Sequence, residues 1–136
     1  MDRDAERFAV TVPLPPRAVS PNARSGHWGP GARAAAEARR TAALAALATL
    51  QERGLDPPRW SVVRVTYCWQ ARRKPVPDPD NIIARAKPCL DGLVDAGILA
   101  DDRWVRTIEV VRATGPDQLT IVVERLRDEE ELWPLL

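Results

Sequence analysis

A chain of 136 residues, 29% of them charged and with a formal net charge of +1, is long enough to bury one hydrophobic core without disulfides. No apolar run approaches the ~20 residues of a membrane-spanning helix, so we expect no membrane segment, and the charged start MDRDAERFAV lacks the apolar core of a secretion signal. Cys68 and Cys89 stand in apolar surroundings without metal-ligand spacing, which favours buried thiols of a reducing compartment, so we expect a cytoplasmic protein.

The first half of the chain predicts a strand, a loop and a long helix. Glu6–Leu14 predicts the strand, which a cluster of prolines ends. The loop over 17–31 is rich in Pro, Ser, Asn and Gly and contains the only histidine, His27. Ala32–Arg53 is alanine-rich and predicts the helix, with Gly54 as its stop. The apolar side of this helix is predicted to carry Leu44, Leu47 and Leu50.

Three further segments predict β-strands. Trp60–Gln70 alternates apolar and polar residues, which is typical of a strand with one buried face. The side chains predicted to share the apolar face are Val63, Val65, Tyr67 and Trp69. Trp104–Ala113 and Gln118–Leu126 are also rich in strand-forming residues, and the turn residues at 114–117 predict a hairpin between them.

A second helix is predicted over Asn81–Ala96, with Gly97 as its left-handed terminator. Pro88 lies inside this segment, and a proline there removes a backbone hydrogen bond and clashes with the preceding turn. We therefore expect either a kink at Pro88 or two short helices, over 81–86 and 88–96.

The order of these elements, β-α-β-α-β-β, indicates a small α+β fold. We expect a single domain over residues 1–136, built from a mixed sheet of about four strands packed by two main helices. A short tail over 128–136 begins with four consecutive acids. Without those four, the chain carries 20 basic and 15 acidic residues, a balance compatible with a polyanionic partner.

Two acidic motifs carry the strongest functional signal. D-P-D-N at 78–81 and D-D at 101–102 flank the second predicted helix, which carries Lys87 and Asp91. The carboxylates expected to meet at one end of the sheet, beside Lys87, are Asp78, Asp80 and Asp102. Hard divalent cations prefer such oxygen ligands, so the pattern predicts a cation that holds a phosphate. The alternative is a turn and a helix cap with solvated acids.

Local geometry adds detail to this segment. Asp78 and Asp80 stand two apart in a predicted extended loop and would face the same side, with Asp80 or Asn81 capping the helix. Acids that recur every four residues after Lys87 would share its helical stripe. They are Asp91 and Asp95. Asp91 is predicted to be structural, through an i,i+4 pair with Lys87. If Lys87 is not catalytic, this ordinary ion pair is its alternative role.

The expected chemistry follows from these residue types. Clustered carboxylates repel one another, and a bound Mg²⁺ would relieve this repulsion, polarise a phosphoryl oxygen and lower the pKa of its water. Lys87 could then offset charge that develops on the phosphate. Just upstream, Arg72, Arg73 and Lys74 could hold neighbouring phosphates of DNA, or could form an ordinary solvated surface.

The same residues resemble a known family. D-P-D-N at 78–81, K-x-x-L-D-G-L over 87–93, glycine at 97 and D-D-x-x-V at 101–105 are similar to the RusA family of Holliday junction resolvases. The resemblance implies a Mg²⁺-dependent endodeoxyribonuclease, with Mn²⁺ as a substitute, that cuts four-way DNA junctions as a homodimer. The essential acids would be Asp78, Asp80 and Asp102, and the catalytic lysine would be Lys87. Asp101 would take a supporting role.

One position departs from the family pattern, which places its lysine four residues after the second acid. Ala84 occupies that position here, and Lys87 is matched instead by counting back four residues from Asp91. Two other functions therefore stay open: a junction-binding protein that has lost cleavage, and a less selective structure-dependent nuclease. A calcium-binding EF-hand loop is excluded, because Ile82 and Ile83 stand where that loop needs an oxygen ligand and a glycine.

Overall fold

The structure is a computed structural model that describes residues 6–19, 28–73 and 75–127, apart from the side chains of Trp28 and Pro30. The predicted acidic tail, Lys74 and His27 lie outside these residues. The main elements are β1 (Arg7–Val12), α1 (Trp28–Arg53), β2 (Val63–Ala71), α2 (Pro79–Asp95), β3 (Val105–Thr114) and β4 (Gln118–Arg125), with short 3₁₀ helices at Arg17–Val19 and Asp102–Trp104.

These elements form one mixed four-stranded sheet in the order β1-β4-β2-β3. β3 runs parallel to β2, and β4 runs antiparallel to both β1 and β2. The buried residues of β2 are those predicted from its alternation, Val63, Val65, Tyr67 and Trp69, and they pack with apolar residues of both helices. The predicted α+β class, the element order and the four-stranded mixed sheet are therefore confirmed.

The predicted hairpin at 114–117 is wrong. β2 lies between β3 and β4, so these two strands do not pair with each other. The connection instead passes over the end of β2, where the Gly115 amide donates a hydrogen bond to the Ala71 carbonyl at 3.2 Å. Two strand spacings span about 10 Å, a distance that three residues can cross. A short glycine-containing turn therefore does not by itself determine which strands pair.

The predicted packing face of α1 is wrong for two of its three leucines. Leu50 is buried, but Leu44 is 60% exposed and Leu47 is 47% exposed. The helix packs instead through small residues, since Ala42 and Ala46 are fully buried. Alanines recur around most of this helix, so its sequence does not determine which side faces a neighbouring helix.

A close crossing with α2 selects the small-residue side of α1. A methyl group added at Gly92 would overlap the Arg39 backbone carbonyl and would lie 3.0 Å from the Ala42 Cβ. The crossing is also bridged at the surface, where Arg39 Nε and Nη2 donate hydrogen bonds to the two Asp95 carboxylate oxygens at 2.6 and 2.8 Å. The two helix backbones therefore approach one another closely at Gly92.

We expect Gly92→Ala to lower the free energy of unfolding by about 1–2 kcal/mol. Overpacking typically costs about 1–3 kcal/mol, and the better helix propensity of alanine returns at most about 1 kcal/mol. Gly29→Ala in α1 is the matched control, because only the Arg33 guanidinium lies near the added methyl group, at 4.0 Å. This variant should be neutral or slightly more stable than the parent protein. Urea denaturation measures both variants. Unchanged stability in Gly92→Ala would contradict the close crossing.

α2 is one continuous helix through Pro88, so the alternative of two short helices is wrong. Its end is confirmed, because Gly97 adopts a left-handed φ of 81°. The Gly97 and Ile98 amides donate back to the carbonyls of Val94 and Leu93 at 2.9 and 3.0 Å. This termination turns the chain toward the acidic residues that precede β3.

Candidate functional site

Lys87 lies between two carboxylates from separate segments of the chain. Its Nζ donates a hydrogen bond to Asp91 Oδ1 at 2.5 Å and forms an ion pair with Asp102 Oδ2 at 2.6 Å. The Lys87 side chain is 49% exposed, and both acids are also partly exposed. We call Lys87, Asp91 and Asp102 the lysine cluster. The contact between Lys87 and Asp102 brings together two of the four residues predicted as catalytic.

Different elements position the members of the lysine cluster. Lys87 and Asp91 stand one turn apart on α2, whereas Asp102 begins the 3₁₀ helix that leads into β3. Asp101 caps this 3₁₀ helix, because its Oδ1 accepts a hydrogen bond from the Arg103 amide at 3.0 Å. One residue earlier, the Ala100 amide donates to the Trp60 carbonyl at 2.8 Å. The backbone that carries Asp102 is therefore fixed on both sides.

The ion pairs shift the pKa values of Lys87 and Asp102 in opposite directions. Partial burial lowers the pKa of Lys87, but hydrogen bonds to Asp102 and Asp91 outweigh it, so the pKa lies above its ordinary value. The Asp102 pKa is lowered, chiefly by the hydrogen bond from Lys87. Burial raises the pKa of Tyr67, and the charges of Asp91 and Asp102 add to this effect. At neutral pH the cluster therefore holds a fully charged ammonium.

We expect Lys87→Met to raise the pKa of Asp102, because the variant removes the largest cause of its depression. In the parent, this pair stabilises the fold above the ordinary carboxyl pKa of about 3.9, and the stabilisation is lost as pH falls through the lower folded-state pKa. Carbon-detected NMR titration of the aspartate carboxyl groups measures the shift. Asp95 is the internal control, because its pKa is lowered by Arg39, which the variant leaves unchanged. An Asp102 pKa that stayed low in the variant would contradict this account.

The acids at the start of α2 are arranged differently from the prediction. Asp78, rather than Asp80 or Asn81, is the N-cap, and its Oδ1 accepts a hydrogen bond from the Asn81 amide at 2.9 Å. Pro79 takes the first helical position, where a missing N–H costs no intrahelical bond. Asp80 consequently lies in the first helical turn and not in an extended loop. The Asp-Pro pair was the sequence signal for this cap.

The three predicted metal ligands do not form one group in the structure. Asp80 and Lys87 are seven positions apart, close to two full turns, so both lie on one stripe of α2 about 10 Å apart along the helix axis. No three His, Cys, Asp or Glu side chains could hold one metal ion within residues 6–19, 28–73 and 75–127. Asp78, Asp80 and Asp102 therefore do not form the expected three-ligand group among the described residues.

The other predicted site residues lie elsewhere. Arg72 and Arg73 are exposed just beyond β2, where the Arg72 amide donates a hydrogen bond to Asp117 Oδ1 at 2.9 Å. Asp95 does not join the lysine cluster but pairs with Arg39 of α1. Sequence reasoning missed the proximity of Tyr67 to the cluster, because alternation along a strand identifies a buried face but not what covers it.

Comparisons with known proteins give similarity without a function. No family model matches the chain. Over 97 residues, 71% of its length, the chain is 34% identical to an uncharacterized protein of Xylella fastidiosa (strain Temecula1). The match covers 62% of that relative, so the chain spans less than two thirds of its length. Among the helices of the described ranges, none combines the length and apolar character needed to cross a bilayer.

Proposed function

We propose that the protein is a RusA-like, Mg²⁺-dependent endodeoxyribonuclease that resolves Holliday junctions by cutting two DNA strands. The observation that carries this proposal is the lysine cluster, in which Asp91 and Asp102 hold the half-exposed Lys87 ammonium at 2.5 and 2.6 Å. Exposed ion pairs contribute only about 0–1 kcal/mol to stability, so the fold gains little from this arrangement. A fixed and accessible positive charge is suited to an anionic substrate.

The proposed chemistry assigns a separate role to each residue of this chain. The carboxylates of Asp102 and Asp91 keep Lys87 protonated and oriented, as its raised pKa indicates. A phosphodiester that reached this surface would meet the ammonium, which offsets the negative charge that develops during hydrolysis. Arg72 and Arg73, both exposed beyond the far end of β2, would hold phosphates further along the strand and position it.

The chemistry of the candidate ligands fits Mg²⁺, because all of them are carboxylate oxygens. Mg²⁺ is commonly held by one or two carboxylates together with substrate phosphates, so a three-acid group is not required before DNA binds. Asp102 would supply a protein ligand at the lysine cluster, whereas Asp78 and Asp80 stand at the start of α2 and form no three-ligand group with it among the described residues. When bound, the ion would polarise a phosphoryl oxygen and acidify a water molecule, and Mn²⁺ would substitute for it.

Two further properties belong to the proposal. Paired cutting of a symmetric junction requires two equivalent sites, so we expect an isologous homodimer. Cys68 and Cys89 are free thiols, which supports a reducing, cytoplasmic location.

A second candidate function has its own supporting observations. Ala84 occupies the family position of the lysine, and no three-carboxylate group forms among the described residues. Both features favour a protein that binds junction DNA without cutting it. The third candidate, a less selective structure-dependent nuclease, would retain metal-dependent cutting but act on other branched DNA.

Incubation of the protein with labelled four-way junction, flap and plain duplex DNA distinguishes these functions. The proposal predicts paired nicks in the junction with Mg²⁺, none with EDTA, and little cutting of the other substrates. Gel-shift binding to the junction without nicking would establish the second candidate instead. Equal cutting of flaps and junctions would establish the third.

A further inference from the structure

A pocket of about 420 Å³ opens at the end of the sheet where β2 begins and β4 ends. Its polar side chains are mainly guanidinium groups, contributed by Arg59, Arg125 and Arg127. None of the described residues that line it is acidic. We call this feature the arginine pocket.

The arginine pocket carries an excess of positive charge. Arg127 pairs with Glu6 through a 2.8 Å contact between Nε and Oε2. Arg59 and Arg125 are exposed, and neither side chain makes a hydrogen bond or ion pair with another residue of the described ranges. Guanidinium groups bind phosphate oxygens through paired hydrogen bonds, so two unpaired ones around a single pocket suit a phosphate group.

The backbone at Arg59 is held in an unusual conformation. Its φ of 47° lies in the left-handed region, and it is the only non-glycine residue with a positive φ in the described chain. Hydrogen bonds fix this conformation, since the Arg59 and Trp60 amides donate to the carbonyls of Gly97 and Ile98 at 2.8 and 3.1 Å. Strained residues of this kind cluster at functional sites, where the surrounding structure holds a side chain in place.

The arginine pocket is connected directly to the candidate site. Trp60, which lines the pocket, accepts the hydrogen bond from the Ala100 amide at 2.8 Å. Asp101 and Asp102 follow Ala100 in the chain. The pocket and the lysine cluster are therefore linked through one hydrogen-bonded backbone segment. In contrast, Arg72 and Arg73 follow the opposite end of β2.

From these observations we infer that the arginine pocket binds a backbone phosphate of the DNA strand that lies across the lysine cluster. The inference rests on the proposed function for the identity of the ligand. Arg59 and Arg125 would supply the charge that holds the phosphate. The strand would then be held on both sides of the reacting position, by this pocket and by Arg72 and Arg73.

The test is junction binding in the absence of metal, measured by fluorescence anisotropy over a range of KCl concentrations. The variant is Arg59→Asn with Arg125→Gln, because asparagine tolerates a left-handed backbone better than most residues do. We expect about tenfold weaker binding, and a shallower plot of log affinity against log salt, by about 0.9 for the one phosphate lost per protomer in contact with DNA. Arg33→Gln with Arg40→Gln, on the exposed side of α1, removes the same charge and should change neither quantity.

Two outcomes separate this inference from the proposed function. If the parent binds junctions and both double variants behave alike, the pocket inference is overturned while the nuclease proposal stands. If the parent binds no junction, the nuclease proposal fails, and titration with inorganic pyrophosphate still tests the pocket. NMR shifts of the Arg59 and Arg125 side-chain N–H groups with pyrophosphate would support a phosphate site, and unchanged spectra would overturn it.

Discussion

Asp102→Asn should abolish junction cleavage, with a loss of about 100-fold or more in the single-turnover rate. The substitution keeps the size of the side chain but removes the charge that pairs with Lys87 at 2.6 Å and that would also hold Mg²⁺. Since Asp102 is partly exposed, the free energy of unfolding should change by no more than about 1 kcal/mol. Cleavage of a labelled four-way junction in Mg²⁺ measures the rate, and thermal unfolding verifies the fold.

Asp56→Asn provides the matched control for this variant. Asp56 is an exposed acid in the connection between α1 and β2, and the same substitution there should leave the rate at the parent value. A folded Asp102→Asn protein that cut junctions within about threefold of the parent rate would remove Asp102 from the proposed chemistry.

Leu50→Ala should lower the free energy of unfolding by about 2–5 kcal/mol, the usual cost of removing a buried leucine. Leu50 is 3% exposed and belongs to the core cluster between the helices and the sheet. Leu44→Ala is the matched control, because it makes the same change in the same helix at a side chain that is 60% exposed. Its effect should stay within about 0.5 kcal/mol. Helix propensity changes equally in both variants and cancels.

Chemical denaturation of the two leucine variants tests the correction to the packing of α1. Equal losses of stability would indicate that Leu44 is also buried, as the sequence pattern had predicted. A larger loss for Leu44→Ala than for Leu50→Ala would contradict the observed orientation of the helix.

The fold was predictable wherever a pattern has only one physical solution. Alternation in β2 identified Val63, Val65, Tyr67 and Trp69, because successive strand residues face opposite sides of a sheet. Gly97 marked the end of α2, because few other residues adopt a φ of 81°. The orientation of α1 and the partner of β3 were not predictable, since each depends on contacts that are distant in sequence.

The candidate site was predictable only in part, for a similar reason. The acids and Lys87 were identified by residue type and spacing, and the contact between Lys87 and Asp102 agrees with that expectation. The cap at Asp78 depended on Pro79 taking the first helical position, which the pattern of acids alone did not indicate. The arginine pocket joins residues 59, 125 and 127, and no sequence spacing brings such distant positions together.

Anomalous scattering from Mn²⁺ in crystals of the protein with bound junction DNA tests the central proposal most directly. A nuclease centre at the lysine cluster predicts a Mn²⁺ peak in contact with an Asp102 carboxylate oxygen and with a DNA phosphate. Bound DNA with Asp102 still paired only to Lys87, and no Mn²⁺ beside it, would contradict the assignment.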